Sequence, residues 1–233
     1  MLPSKKLPPV AAPSAVRIPL GAVVLDGLLS VPVEATGVVL FAHGSGSSRL
    51  SPRNRYVAEA LHHAGIATLL FDLLTPLEAN DRRKVFDVKL LGARLRGATA
   101  WIRRHPASQR FGIGYFGAST GAAAALIAAA ADDTIQAVVS RGGRPDLAAD
   151  ALAAVRAPTL LIVGSFDSVV LDLNREAYDR LRCEKRLAIV EGATHLFEEP
   201  GTLDRVVHRA IDWFAEYLRA NGRDEAADDL RRP

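Results

Sequence analysis

A single cysteine, Cys183, stands among 233 residues. No intramolecular disulfide is therefore available, and the chain suits a reducing compartment, read here as the cytoplasm. No apolar run reaches the roughly 18 residues that a membrane span needs. The opening stretch MLPSKKLPPVAAPSA holds lysine but no hydrophobic segment of the kind a signal peptide requires, and reads as a flexible arm over 1–15. Net charge is only +3, and the pairs Arg82-Arg83 and Arg103-Arg104 read as solvated helix faces, so no nucleic-acid partner is expected. Metal chemistry lacks its donors: there is no H-E-x-x-H and no pair of cysteines. Two glycine patterns fail as nucleotide sites. Gly44-x-Gly46 is not followed by the Gly-Lys-Ser/Thr of a phosphate loop, and Gly112-x-Gly114-x-x-Gly117 has a turn where a strand should precede it. Neither a metal nor a cofactor is expected.

What is present is an ordinary globular composition, 49% hydrophobic and 24% charged, enough to bury one full core. Strand and helix patterns alternate along it. Val16–Ile18 and Val23–Val31 read as a hairpin pair; Val38–Ala42, Ile66–Phe71, Phe111–Phe116, Ile135–Ser140, Thr159–Val163 and Leu187–Val190 read as further strands. Helices are expected over Pro52–Ala64, Asp81–Arg104, the alanine-rich stretch after Ser119, Leu147–Ala154, Leu171–Arg182 and Leu203–Leu218. Asp72–Asn80 reads as a loop. This order predicts one α/β domain over 16–220, its central sheet mostly parallel with helices on both faces and an antiparallel N-terminal edge, followed by a polar tail over 221–233.

The organising stretch is Gly117-Ala118-Ser119-Thr120-Gly121, a G-x-S-x-G sequence between a strand and a helix. In that context the serine sits on a strained turn above the sheet edge, and glycines on either side leave room for it. A serine needs a base, and the base needs an acid to orient it. In a parallel sheet such groups collect at the carboxyl ends of strands. Reading those ends gives His43-Gly44-Ser45, Asp72, Ser119, Arg141, Asp167 and His195. Asp167 follows Thr159–Val163 and His195 follows Leu187–Val190, so Ser, Asp and His arrive in chain order, each after a strand.

With His43-Gly44-Ser45-Gly46, Gly164-x-x-Asp167-x-x-Val170 and Gly192-Ala193-Thr194-His195 added, the chain resembles α/β-hydrolases of the dienelactone-hydrolase-like group from about residue 16 to 220. The resemblance implies Ser119 as nucleophile, His195 as general base and then acid, and Asp167 as the carboxylate that orients it. It also implies an oxyanion hole from the N–H groups of Thr120 and of Ser45. Dienelactone hydrolases proper carry a cysteine at the elbow and an acidic residue that restrains it. Here Ser119 stands there and 43–48 has no carboxylate, so the fold and esterase chemistry carry over and the dienelactone substrate does not. Ser140–Asp146 also looks like the matching segment of hydrolase domains fused to phosphoribosyltransferases, although no transferase segment is read in these residues.

Other residues admit two readings. Asp167 also suits the N-cap of the next helix. Asp72 is a reserve acid or a substrate contact, as Gly44 and Gly46 are contacts of the loop they build. Arg141 either binds an acidic substrate group or pairs with Asp146 or Glu198. His43 is expected to shape its loop; His62, His63, His105 and His208 read as surface or packing residues, and Cys183 as an incidental thiol. The stretch Ser140–Thr159 is too short for a cap domain, which predicts a compact, open pocket for short acyl esters or lactones. The expected protein is a monomer or homodimer acting on a small-molecule ester. The alternatives are a non-catalytic ligand-binding member of the fold, or a thioesterase or short-peptide hydrolase using the same residues.

Overall fold

The structure, a computed structural model, describes residues 12–220. The expected tail over 221–233 and most of the N-terminal arm lie outside the described residues. Of that arm, Ser14 and Ala15 already belong to the first strand. Eight strands form one open sheet in the order β1-β2-β4-β3-β5-β6-β7-β8. They are β1 (Ser14–Leu20), β2 (Val23–Ser30), β3 (Gly37–Ala42), β4 (Ala67–Phe71), β5 (Gly112–Ala118), β6 (Ile135–Arg141), β7 (Thr159–Gly164) and β8 (Lys185–Val190). β1 pairs antiparallel with β2, and β2 with β4; the remaining pairings are all parallel.

The central strands β3, β4, β5 and β7 are buried along their whole length, as strands covered on both faces must be. Alternation divides their side chains between two cores. Val38, Leu40 and Ala42 of β3 pack with α3 (Val88–Arg104) and α4 (Thr120–Ala130). Val39 and Phe41 pack with α1 (Pro52–His63) and α6 (Thr202–Tyr217). Between β4 and α3 lies the four-residue α2 (Arg82–Val85), and α5 (Ser168–Arg180) follows β7. Ser51 starts α1 by accepting from Asn54 N–H, with Pro52 set at its first turn.

α4 is apolar on every side and nearly all of it is buried, which a helix tolerates only inside a core. Its small side chains let it lie close against the sheet. The expected helix over 81–104 is broken instead. Asp87 turns its carboxylate onto Leu90 N–H at 2.9 Å and starts α3 afresh, leaving α2 as a separate turn. Local side-chain capping outcompetes continuous helix there. The helix read at 147–154 is 3-10 in form, spans Pro145–Ala154 and is kinked at Ala149. No separate cap domain rises between β6 and β7.

Candidate active site

Ser119 leaves β5 with φ 50° and ψ −122°. A non-glycine residue in such a region costs about 1–3 kcal/mol and persists only where its surroundings impose it. The imposing contacts are backbone on backbone. A β-carbon on Gly117 would stand 2.4 Å from Ala122 Cα, and one on Gly121 only 2.1 Å from the carbonyl oxygen of Ala42. Strand β6 brackets the turn: Ser119 N–H donates to Arg141 O at 3.3 Å, and Arg144 N–H donates to Ser119 O at 3.0 Å. The side chain of Ser119 caps nothing in α4.

The loop after β3 folds over this elbow. A β-carbon on Gly44 would lie 3.1 Å from Ser119 Cβ. His43 shapes the loop as expected: Nδ1 lies 3.0 Å from Gly44 O, and Nε2 accepts Leu73 N–H at 3.0 Å. Both bonds require the neutral ring protonated on Nδ1, and burial holds its pKa below the ordinary histidine value. At the loop's far end, Asp72 Oδ1 accepts Arg49 N–H at 2.7 Å while Oδ2 takes the Arg49 guanidinium. Asp72 is thus engaged as a clamp, and Arg49 is a residue the sequence reading overlooked. The signal was there, an arginine six residues past His43, but pairing across two strand ends is not visible in a linear pattern. Ser45 N–H, expected to face substrate, donates to Thr120 Oγ1 at 2.9 Å.

His195 and Asp167 meet. His195 Nδ1 lies 2.6 Å from Asp167 Oδ2, with the carboxylate 15% and the imidazole 37% exposed. Asp167 occupies the N-cap position of α5 but makes no side-chain cap bond. The two loops are tied by Phe166 N–H donating to Ala193 O at 3.0 Å. Glu199 braces the histidine loop by accepting Thr194 N–H at 3.1 Å and its hydroxyl at 2.6 Å. A β-carbon on Gly142, the residue after Arg141, would lie 3.0 Å from His195 O and 3.5 Å from His195 Nδ1. The end of β6 therefore touches the elbow on one side and the histidine loop on the other. With Nδ1 given to the carboxylate, Nε2 is the nitrogen left to accept a proton.

Arg141 is 7% exposed. Neither anticipated salt bridge forms, because Asp146 pairs with Arg144 at 2.8 Å and Glu198 with Arg53 at 3.0 Å. Its guanidinium carbon lies 5.9 Å from the centre of the Phe197 ring, and Nε is buried without a hydrogen-bond partner among the described residues. Burial, and then the neighbouring charge of Arg53, pull its pKa down to about 10.

A cleft of about 370 Å³ opens against the 43–48 loop, whose Gly44 approaches Ser119 Cβ. One wall is the 43–48 loop, including Gly44, Ser45 and Gly46, with Asp72; the other is Leu74, Pro76, Ala79, Val85 and Leu91. Leu74, Pro76 and Ala79 come from the expected loop and Val85 and Leu91 from the expected helix, and together they give the cleft an apolar side. The remaining candidates lie away from it. His62 is buried with its ring nitrogen 2.6 Å from Thr68 Oγ1, and the His105 ring rests on Trp101. Half-buried Cys183 has its thiol pKa raised by burial. Among the described residues no cluster of ligands suits a metal ion, and no helix is long and apolar enough to cross a membrane.

No protein-family model matches the chain. A crystal structure of a dienelactone hydrolase from Anabaena variabilis is 57% identical, covers 89% of this chain and 98% of its own, and superposes with a TM-score of 0.86. Est1E from Butyrivibrio proteoclasticus shares the fold at a TM-score of 0.74 with 16% identity, over 87% of this chain and 98% of its own. A Mycobacterium tuberculosis protein provisionally named a phosphoribosyl transferase is 56% identical over 208 residues, which is 89% of this chain. The chain spans about half the length of that relative, 47%.

Proposed function

The chain belongs to the dienelactone-hydrolase-like family of α/β-hydrolases, and from that premise we propose that it is a serine hydrolase of small or short-acyl esters and lactones. The observation that carries the reading is the 2.6 Å contact between His195 Nδ1 and Asp167 Oδ2, reached across 28 residues of chain; Ser119, held at a positive φ at the end of β5, supports it. A strained serine backbone and a base oriented by a carboxylate are both costly to keep, and a nucleophilic reaction is what would use them.

In this reading Ser119 Oγ attacks the ester carbonyl as His195 Nε2 takes its proton. Asp167 holds the ring in the tautomer that can accept it and steadies the imidazolium that forms. Negative charge develops on the carbonyl oxygen, and Thr120 N–H at the start of α4 is one of the donors that meets it. The imidazolium then protonates the departing alkoxide, leaving an acyl-enzyme on Ser119. Water, deprotonated by His195, attacks that ester, and the proton returns to Ser119 as the acid leaves. Leu74, Val85 and Leu91 offer an apolar seat for one substituent of the ester, and Arg141 is the cation we assign to a second, acidic substituent. The hydrolase reading concerns the 208 residues shared with the Mycobacterium tuberculosis relative.

Labelling with a fluorophosphonate probe tests the proposal. The wild-type chain is expected to label on Ser119 and to hydrolyse p-nitrophenyl acetate, and Ser119→Ala and His195→Ala to lose both while melting as the wild type does. A folded wild-type protein that takes no label and turns over no short ester or lactone is instead a non-catalytic ligand binder, and the proposal falls.

A further inference from the structure

The developing oxyanion requires donors, and the family resemblance implies that one of them is the N–H of Ser45. That proton is already committed, at 2.9 Å, to Thr120 Oγ1. A main-chain N–H has one hydrogen, so in this arrangement Ser45 has none to offer a substrate. Its acceptor does. A threonine hydroxyl carries two lone pairs and a proton, and accepting from Ser45 leaves that proton free to be donated.

The surroundings of the hydroxyl narrow where the proton goes. Thr120 is 4% exposed and is the first residue of α4, so no helical carbonyl lies one turn behind it to take the bond. Among the described residues its side chain has no other hydrogen-bond partner than Ser45. It sits in the joint between the elbow and the 43–46 loop, where Gly44 approaches Ser119 Cβ closely enough that an added β-carbon would lie at 3.1 Å. The alcohol thus belongs to the residue that follows the nucleophile, is backed by a donor and has no acceptor among the described residues.

We propose that the Thr120 hydroxyl is the second oxyanion donor, with Ser45 N–H behind it as the group that positions and polarises it. This deepens the serine-hydrolase reading and rests on it. One residue then supplies both bonds to the oxyanion, its N–H and its O–H. Ser45 acts through Thr120, since accepting a hydrogen bond makes a hydroxyl a stronger donor. No covalent bond to Thr120 is made or broken; its proton stays on the oxygen through the reaction.

Steady-state hydrolysis of p-nitrophenyl acetate by the full chain tests this with Thr120→Ser, Thr120→Val and Thr120→Ala. Active sites are counted by fluorophosphonate labelling, and folding is followed by thermal melting. Serine keeps the alcohol and is expected to retain most of the kcat that valine and alanine lose. Valine keeps the shape and loses the alcohol; kcat per labelled site is expected to fall about a hundredfold or more, with KM little changed. Affinity for a boronic acid that mimics the tetrahedral state should fall with kcat. Alanine repeats the test if valine does not fold. The opposite result overturns the proposal: valine or alanine freeing Ser45 N–H and matching or exceeding the wild type, or a loss confined to KM. A wild-type protein without Ser119-dependent labelling overturns the hydrolase reading itself, a failure visible before any Thr120 variant is made.

Discussion

Asp167 stands at the N-cap of α5 and withholds its carboxylate from the helix, giving it to His195 Nδ1 at 2.6 Å instead. A capping side chain is typically worth about 1 kcal/mol, so the helix forgoes stability for the sake of the imidazole. Asparagine at this position can still accept from a helix N–H but cannot stabilise an imidazolium or enforce the tautomer. Asp167→Asn is therefore expected to lower kcat by about 10²–10⁴-fold while its melting temperature holds or rises. Near-normal turnover in this variant would move the acid elsewhere, to Asp72 first.

Arg141 yields the second prediction. A buried guanidinium that has no carboxylate partner among the described residues is destabilising on its own account, and here Arg53 adds like charge near it. An anionic group on the substrate would relieve both. In a panel of paired esters equal in length, one neutral and one bearing a terminal carboxylate, the wild type is expected to favour the anion in kcat/KM. Arg141→Met should lower the ratio of the two rates at least tenfold, about 1.4 kcal/mol of discrimination, while Arg141→Lys keeps part of it. Equal ratios in wild type and Arg141→Met would leave Arg141 as a structural residue.

Much of this site is legible in the linear sequence because chain order and strand ends locate it. Ser119, Asp167 and His195 each follow a strand, and a parallel sheet places all such positions along one edge. Gly117 and Gly121 are equally readable, since only a residue without a β-carbon fits where backbone meets backbone. What sequence could not supply are contacts between loops. The clamp from Arg49 to Asp72 joins the loops after β3 and β4, and the bond from Ser45 to Thr120 spans 75 residues. Both depend on three-dimensional register, and neither leaves a periodic trace. The break between α2 and α3 was missed for a different reason: Arg82–Arg104 keeps helical composition throughout, and one aspartate, Asp87, decides where the helix restarts.

Gly121 should be the least replaceable residue of the elbow. Adding one methyl there sets carbon 2.1 Å from Ala42 O and 2.5 Å from His43 O, backbone atoms at the last residue of β3 and just after it that cannot swing aside as a side chain would. Either α4 lifts from the sheet or the 43–46 loop is pushed away from Ser119. Gly121→Ala is expected to destabilise the fold by about 1–3 kcal/mol, the usual scale for overpacking a tight interior. Whatever folds should label poorly with a fluorophosphonate. Gly65, at φ +79° with open space around it, is the control: alanine there strains the backbone but leaves labelling per folded molecule intact. Equal labelling of both variants would show that the elbow tolerates more movement than its contacts suggest.

Acid should unfold this protein through its buried histidines. Burial, and then the like charge of His63, bring the pKa of His62 down to about 4, and its ring sits against Thr68 Oγ1 at 2.6 Å. The unfolded chain binds a proton at that imidazole near pH 6.5. Between these two values the unfolded state holds more protons than the folded one, so stability is present in full above about pH 6.5 and is lost as pH falls toward about 4. His43 acts in the same direction, because burial lowers its pKa too, and protonating Nε2 removes the acceptor of Leu73 N–H. Melting temperature measured across this range should decline for the wild type and decline less steeply for His62→Gln, whose amide stays neutral. A second distinction follows from position. His62 lies in α1 away from the cleft, whereas His43 holds the loop that faces Ser119, so His62→Gln should flatten the stability profile without moving the acid limb of kcat/KM. Parallel slopes for wild type and variant would mean that His62 gains its proton without unfolding the chain, and that another group sets the acid limit.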